Sequence, residues 1–191
     1  MANELQGKKV AILAADGVER VELEQPRAAV VAAGGDTELL SVHDGVIQSM
    51  NHDIEPAERF LVDRRVADAA VEDYDALLLP GGAVNPDKLR INREAIQFVK
   101  DFFGSGKPIG VICHGPWSLV EADVVRGRTL TSWPSVRTDI RNAGGNVVDE
   151  EVVTDRNLTS SRWPDDLPAF CERIVEEFST GARAETSRLV R

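Results

Sequence analysis

The 191 residues carry 32 Asp and Glu against 22 Lys and Arg, a formal net charge of −10, with 42% hydrophobic and 28% charged residues. That balance suits a globular chain with a sizeable core, and it excludes a general nucleic-acid binder, which presents a basic face, and docking on anionic membranes. Two cysteines, Cys113 and Cys171, are too few for a disulfide scaffold, and no apolar run forms a signal peptide or reaches the roughly 18 residues of a membrane helix, so a cytoplasmic protein is expected.

Lys8-Lys9-Val10-Ala11-Ile12-Leu13-Ala14 reads as a buried first strand, broken by Asp16-Gly17. From Val18 to Ala33 the pattern is a helix with Glu19 and Glu22 in its early turns, where the dipole favours acids. Pro26 either kinks this helix or marks where its regular part begins, and Gly34-Gly35 ends it. Asp36 to Val42 is the second strand. Asp44-Gly45 is a turn signal whose flanks, Ser41-Val42 and Val46-Ile47, are expected to pair as a hairpin. Phe60-Leu61-Val62 gives a short strand and Val66 to Val71 a short helix. Asp75 to Leu79 is an apolar strand running into Pro80-Gly81-Gly82, and Asn92 caps an amphipathic helix that extends to Phe103.

Ile109 to Ile112 is a further buried strand, ending at Cys113-His114-Gly115-Pro116; Pro116 opens a helix to about Val125. Thr129 to Trp133 reads as a strand and Val136 to Ala143 as a helix closed by Gly144-Gly145. Val147 to Asp149, Val152 to Thr154 and Asn157 to Ser160 are short β segments, the last two joined by an Asp155-Arg156 turn. Pro164 to Phe178 is the final helix, followed by a polar tail over residues 179–191. Alternating strands and helices imply an α/β three-layer sandwich with a mostly parallel sheet, as one domain over residues 1–191 with its core at 8–178. Ligands in such folds sit beyond the carboxyl ends of the strands, where Asp16 to Glu22, Gly81-Gly82 and Cys113-His114 fall.

Cys113 lies at a sharp strand-to-helix turn, at the positive end of the helix, where a thiolate is favoured over a thiol. A buried cysteine also serves as a small apolar residue, and that reading is kept for Cys171 on the stripe of the last helix. The neighbours of Cys113 argue for a nucleophile. His114 is polar where a packed turn favours something small, and Gly115-Pro116 exposes backbone N–H groups. Gly81 and Gly82 are placed to lend N–H groups to an oxyanion. As a base, His114 needs an acid to orient it, and Asp87 in Asn85-Pro86-Asp87 is the candidate. Glu19 and Glu22 are either solvated first-turn acids or bring a carboxyl to Cys113. Ionised, such a carboxyl repels a thiolate; protonated, it donates a hydrogen bond. Trp133 is placed to line the site, while Trp117 and Trp163 read as packing. His43, His52 and His114 with the two cysteines give no metal-ligand spacing, so neither metal nor cofactor is expected.

Ile112-Cys113-His114-Gly115-Pro116, Leu79-Pro80-Gly81-Gly82, Glu19-x-x-Glu22-Leu23, Arg126-Gly127-Arg128, Asn142-Ala143-Gly144 and the run from Ser160 to Pro168 resemble the PfpI family (intracellular protease I, general stress proteins) of the ThiJ/PfpI superfamily. The resemblance implies a flavodoxin-like fold similar to class I glutamine amidotransferases. It implies Cys113 as nucleophile with His114 beside it, and one of Glu19 and Glu22 in contact with the thiol. In proteolytic members a Glu from a second subunit completes a triad, and Asp87 matches that position with a shorter acid; a site Tyr of some members falls at Trp133. Homodimers or larger assemblies and a readily oxidised cysteine are also implied. The expected function is a stress-response cysteine enzyme acting on small aldehydes or glycated proteins. The alternatives are an intracellular peptidase with a Cys-His-acid triad across a subunit interface, and a redox-sensing or chaperone-like stress protein.

Overall fold

The computed structural model describes residues 3–181. The chain begins with β1 (Lys9–Leu13), a two-residue β2 (Val18–Glu19) and α1 (Arg20–Ala32). It continues through β3 (Asp36–Ser41), β4 (Val46–Asn51), β5 (Glu55–Leu61), β6 (Arg64–Arg65), β7 (Ala76–Leu79), α2 (Val84–Arg90) and α3 (Arg93–Gly104). Then come β8 (Ile109–Ile112), α4 (Pro116–Glu121), β9 (Thr129–Leu130), α5 (Arg137–Asn142), β10 (Asn146–Val147), β11 (Val152–Asp155), β12 (Leu158–Ser161) and α6 (Leu167–Thr180).

The main sheet has the order β11-β12-β8-β7-β1-β3-β6 and is parallel apart from β11, which meets β12 antiparallel. Its five longer parallel strands follow the flavodoxin order, with β3 and β7 on opposite sides of β1. Successive residues of the central strands face opposite layers. Ala11, Leu13, Leu77, Leu79 and Val111 pack with Phe98, Val99 and Phe102 of α3 and Leu119 of α4. Val10, Ile12, Leu78 and Ile112 pack with Leu23 and Val30 of α1 and with Phe170, Ile174 and Phe178 of α6. Unbroken apolar strands are what a sheet covered on both faces requires. The expected three-layer α/β sandwich is therefore what forms, and the cap at Asn92 forms too, its side chain accepting from Ala95 N at 2.8 Å.

Several stretches depart from the expected elements. Ser41-Val42 does not pair with Val46-Ile47. β3 is taken up by β1 in register Lys9↔Asp36 to Leu13↔Leu40, so β4 turns away and pairs antiparallel with β5 around His52-Asp53. β2 joins β4, and the three make a separate small sheet. Of Thr129 to Trp133 only Thr129–Leu130 pairs, with β10; Thr131 N instead donates to Ser160 Oγ and Trp133 N to Cys113 O. Val66 to Val71 gives two 3-10 turns, Val66–Asp68 and Val71–Asp73, in place of one helix. α4 stops at Glu121, short of Val125, and Asp123 just beyond has a left-handed φ of 55°. The final helix runs on through Thr180, and residues 182–191 of the expected tail lie outside the described residues. No helix among the described residues is long and apolar enough to cross a membrane.

Sheet order positions the site. The chain reverses direction across the sheet between β1 and β7, which opens a crevice at their carboxyl ends. β8 lies beside β7 and delivers Cys113 to the same end.

Candidate active site

All four residues of β8 are buried, and the strand ends in a turn that forces Cys113 to φ 62°. That left-handed conformation costs a non-glycine residue about 1–2 kcal/mol and persists because the surroundings fix it. Cys113 N donates to Ser161 O at 3.1 Å, and Cys113 O accepts from Trp133 N at 3.0 Å. The result is an elbow that presents the sulfur at the carboxyl end of the sheet while leaving Cys113 only 4% exposed.

His114 lies alongside, with Nδ1 3.1 Å from Cys113 Sγ. Its Nε2 faces Ser135 Oγ at 3.4 Å, a pairing that suits the Nε2–H tautomer and leaves Nδ1 free to accept the thiol proton. The imidazole stacks on Trp133 at a centroid distance of 5.4 Å and meets Trp117 at 5.4 Å, with Trp163 edge-on behind Trp133 at 6.2 Å. Burial pushes the His114 pKa down, opposed by the charge of Asp53. His114 is therefore a neutral imidazole at rest.

Glu22 arrives from the first turn of α1 and is fully buried. Its Oε2 accepts from Gly81 N at 2.9 Å, while Oε1 is buried without a hydrogen-bond partner. A Cβ on Gly81 would lie 2.5 Å from Glu22 Oε2 and 2.6 Å from Cys113 Cβ, so only glycine allows carboxyl and cysteine to approach there. Burial, reinforced by the charges of Glu19 and Asp53, pushes the Glu22 pKa up to about 8, although interaction with the thiol and the Gly81 amide works the other way. Burial also pushes the Cys113 thiol well above its ordinary range; Glu22 adds to this and the Gly82 amide opposes it. At neutral pH the resting site thus holds a thiol, a neutral imidazole and a protonated carboxyl. Burial thus works against the standing thiolate expected at the helix start, and α4, spanning six residues, offers only a short dipole to oppose it.

The other expected site residues divide. Glu19 is buried one step back, its Oε2 accepting from Asp53 N at 3.1 Å. Gly82 turns its amide toward the sulfur. The amide of Gly81 is occupied by Glu22, and that of Gly115 closes the turn on Ile112 O at 2.9 Å, so neither is free for an oxyanion. Trp133 stacks on the His114 ring. Asp87 is exposed on α2, and among the described residues no hydrogen bond or ion pair joins it to His114. The acid whose charge acts on His114 within this chain is Asp53, at the tip of the β4–β5 hairpin. Asp53, Ser135 and the full aromatic wall were not read from the sequence. The one available signal was Asn51-His52-Asp53, polar residues suited to a turn between two β runs. Among the described residues no group of three or more His, Cys, Asp or Glu side chains is placed to hold a metal ion.

Comparison with known proteins places these features in a wider set. The model of the DJ-1/PfpI family matches residues 8–177. An uncharacterized protein of Staphylococcus epidermidis is 45% identical over 174 residues, covering 89% of this chain and 97% of its own. A two-domain protein from Anabaena variabilis with dj-1/thij/pfpi-like and ferritin-like domains superposes with a TM-score of 0.85 at 32% identity, over 96% of this chain and 52% of that one. This chain therefore spans about half the length of that two-domain protein. DJ-1beta of Drosophila melanogaster superposes with a TM-score of 0.81 at 25% identity, over 94% of this chain and 91% of that one.

Proposed function

The chain belongs to the DJ-1/PfpI family, and from that premise we propose that it is a cysteine-dependent stress enzyme acting on reactive aldehydes and on the small adduct arms they leave on glycated proteins. The observation that carries this reading is two buried side chains beside one buried sulfur: Cys113 Sγ lies 3.1 Å from His114 Nδ1, and the Glu22 carboxyl, held on Gly81 N at 2.9 Å, stands next to it. An aldehyde needs that set. As the carbonyl carbon approaches, the thiol proton passes to Nδ1 and the new S–C bond forms. The carbonyl π electrons move to oxygen, which takes the proton of the Glu22 carboxyl. The product is a hemithioacetal, with Glu22 ionised and His114 protonated, and return of the proton restores the pair.

With a 1,2-dicarbonyl such as methylglyoxal, His114 or Glu22 then removes the hydrogen of the former aldehyde carbon, and a proton is returned to the neighbouring carbon. The hemithioacetal becomes a thioester of a 2-hydroxy acid, which water cleaves to release the acid and the thiol. No external oxidant or reductant enters. Two features favour small carbonyls over peptides. Cys113 is only 4% exposed, and the amides of Gly81 and Gly115 are already bonded. The test is turnover of methylglyoxal, and release of its adducts from a glycated peptide, by the parent and by Cys113→Ala. The variant is expected to fall to background, a loss of at least about 100-fold. Equal rates would remove the basis of the proposal.

A further inference from the structure

Asp53 has no role in the chemistry above, yet its geometry is unusual. His52 and Asp53 are consecutive non-glycine residues with φ 53° and 66°, a tip where a hairpin usually carries Asn-Gly or Asp-Gly. The tip is pinned from several sides. Arg20 Nε donates to Asn51 Oδ1 at 2.9 Å, and Ile54 N to Asn51 O at 3.3 Å. Asp53 N donates to Glu19 Oε2 at 3.1 Å, and Asp53 Oδ1 accepts from Ala83 N at 2.7 Å. Ala83 directly follows Gly82, the residue whose amide meets the sulfur. Ile54, next along the chain, is 77% exposed, while Asp53 itself is partly buried.

We propose that Asp53 is the positioning carboxylate of the Cys113 site: strained backbone carries it onto the loop after β7, where it holds the Ala83 amide, next in the chain to the Gly82 amide that meets the sulfur, and sets its charge opposite the Cys113–His114 pair. This rests on Cys113 being the reacting atom, as proposed above. The charged and titratable groups around the pair are few. Glu22 faces it from α1 and Glu19 stands behind from β2, while on the aromatic side Arg90 of α2 lies over Trp117 and Arg162 over Trp163. Asp53 acts against the thiolate and in favour of imidazolium. It therefore adds to the burial that already disfavours the thiolate. When the proton moves from Sγ to Nδ1, the same carboxylate stabilises the cation that results.

The experiment is alkylation of Cys113 by iodoacetamide, in which the thiolate displaces iodide. It is followed by mass spectrometry of the Cys113 peptide from about pH 6 to about pH 11. Full-length parent, Asp53→Asn and Asp53→Gly are compared. Asn and Gly both tolerate a left-handed backbone, so the two variants keep the hairpin tip. Each is expected to shift the alkylation midpoint to lower pH, making Cys113 react about three- to tenfold faster at neutral pH. Asn retains an acceptor for Ala83 N and Gly does not, so the high-pH plateau stays at the parent level in Asp53→Asn and changes in Asp53→Gly. A purely structural role would alter the plateau and leave the midpoint in place. A midpoint that stays put or rises in either variant overturns the proposal. The readout needs no substrate, so it stands apart from any failure of aldehyde turnover.

Discussion

Glu22 shows how one buried side chain sets the behaviour of the site and leaves a mark on stability. Its pKa is raised from 4.5 to about 8, first by burial and then by neighbouring charge. Below about pH 4.5 folded and unfolded chains both hold the proton, and the carboxyl exacts no ionisation penalty. Between about 4.5 and about 8 the folded chain keeps a proton that the unfolded chain has lost. Stability therefore falls as pH rises through that window, by at most about 1.4 kcal/mol per pH unit from this group, and levels off above it. Glu22→Gln keeps the shape and removes the titration. It is expected to flatten the slope and to exceed the parent by on the order of 1–3 kcal/mol near pH 8, with little difference near pH 5. Urea unfolding at the two pH values measures this; parallel behaviour of parent and variant would show that Glu22 ionises freely in the fold.

The loop after β7 is the element on which the site turns. Gly82 has φ 82°, and a Cβ there would lie 2.4 Å from Gly17 O and 2.6 Å from Glu19 N, all backbone with nowhere to move. Gly82→Ala is expected to destabilise the protein by about 2 kcal/mol or more and to slow Cys113 alkylation, both read on the purified variant. What the sequence disclosed about such elements followed from locality. The β8–Cys113–α4 elbow was legible because an apolar run and a Gly-Pro pair write it in eight consecutive residues, and the parallel sheet because its strands are apolar on both faces. The β4–β5 hairpin was not, since β1 and β4 compete for β3 and Asp44-Gly45 carries no record of the winner. Asp53 was lost with it. The amides of Gly81 and Gly115 were misjudged for a related reason: sequence shows where a donor is but not that Glu22 or Ile112 has already claimed it. The raised thiol of Cys113 comes first from burial and then from Glu22, 91 positions away in the chain, where no spacing rule reaches.

At the scale of the molecule, a net charge of −10 surrounds a site beside which Glu19 and Asp53 stand, with Glu22 protonated at neutral pH. Neutral carbonyls approach without hindrance and anionic ones are repelled. Methylglyoxal is expected to be turned over about tenfold faster than glyoxylate at low salt, with the gap narrowing as ionic strength rises to about 0.5 M and screening shortens the field. Steady-state rates at two salt concentrations decide it, and a gap indifferent to salt would assign the selectivity to shape. The bond from Cys113 N to Ser161 O has a separate consequence. It makes the seat of Cys113 depend on β12, the last strand of the main sheet in sequence among the described residues. A chain that stops before Ser161 lacks the acceptor on which Cys113 N is held in the folded structure. A truncated chain without β12 therefore carries Cys113 but loses this tie of the elbow.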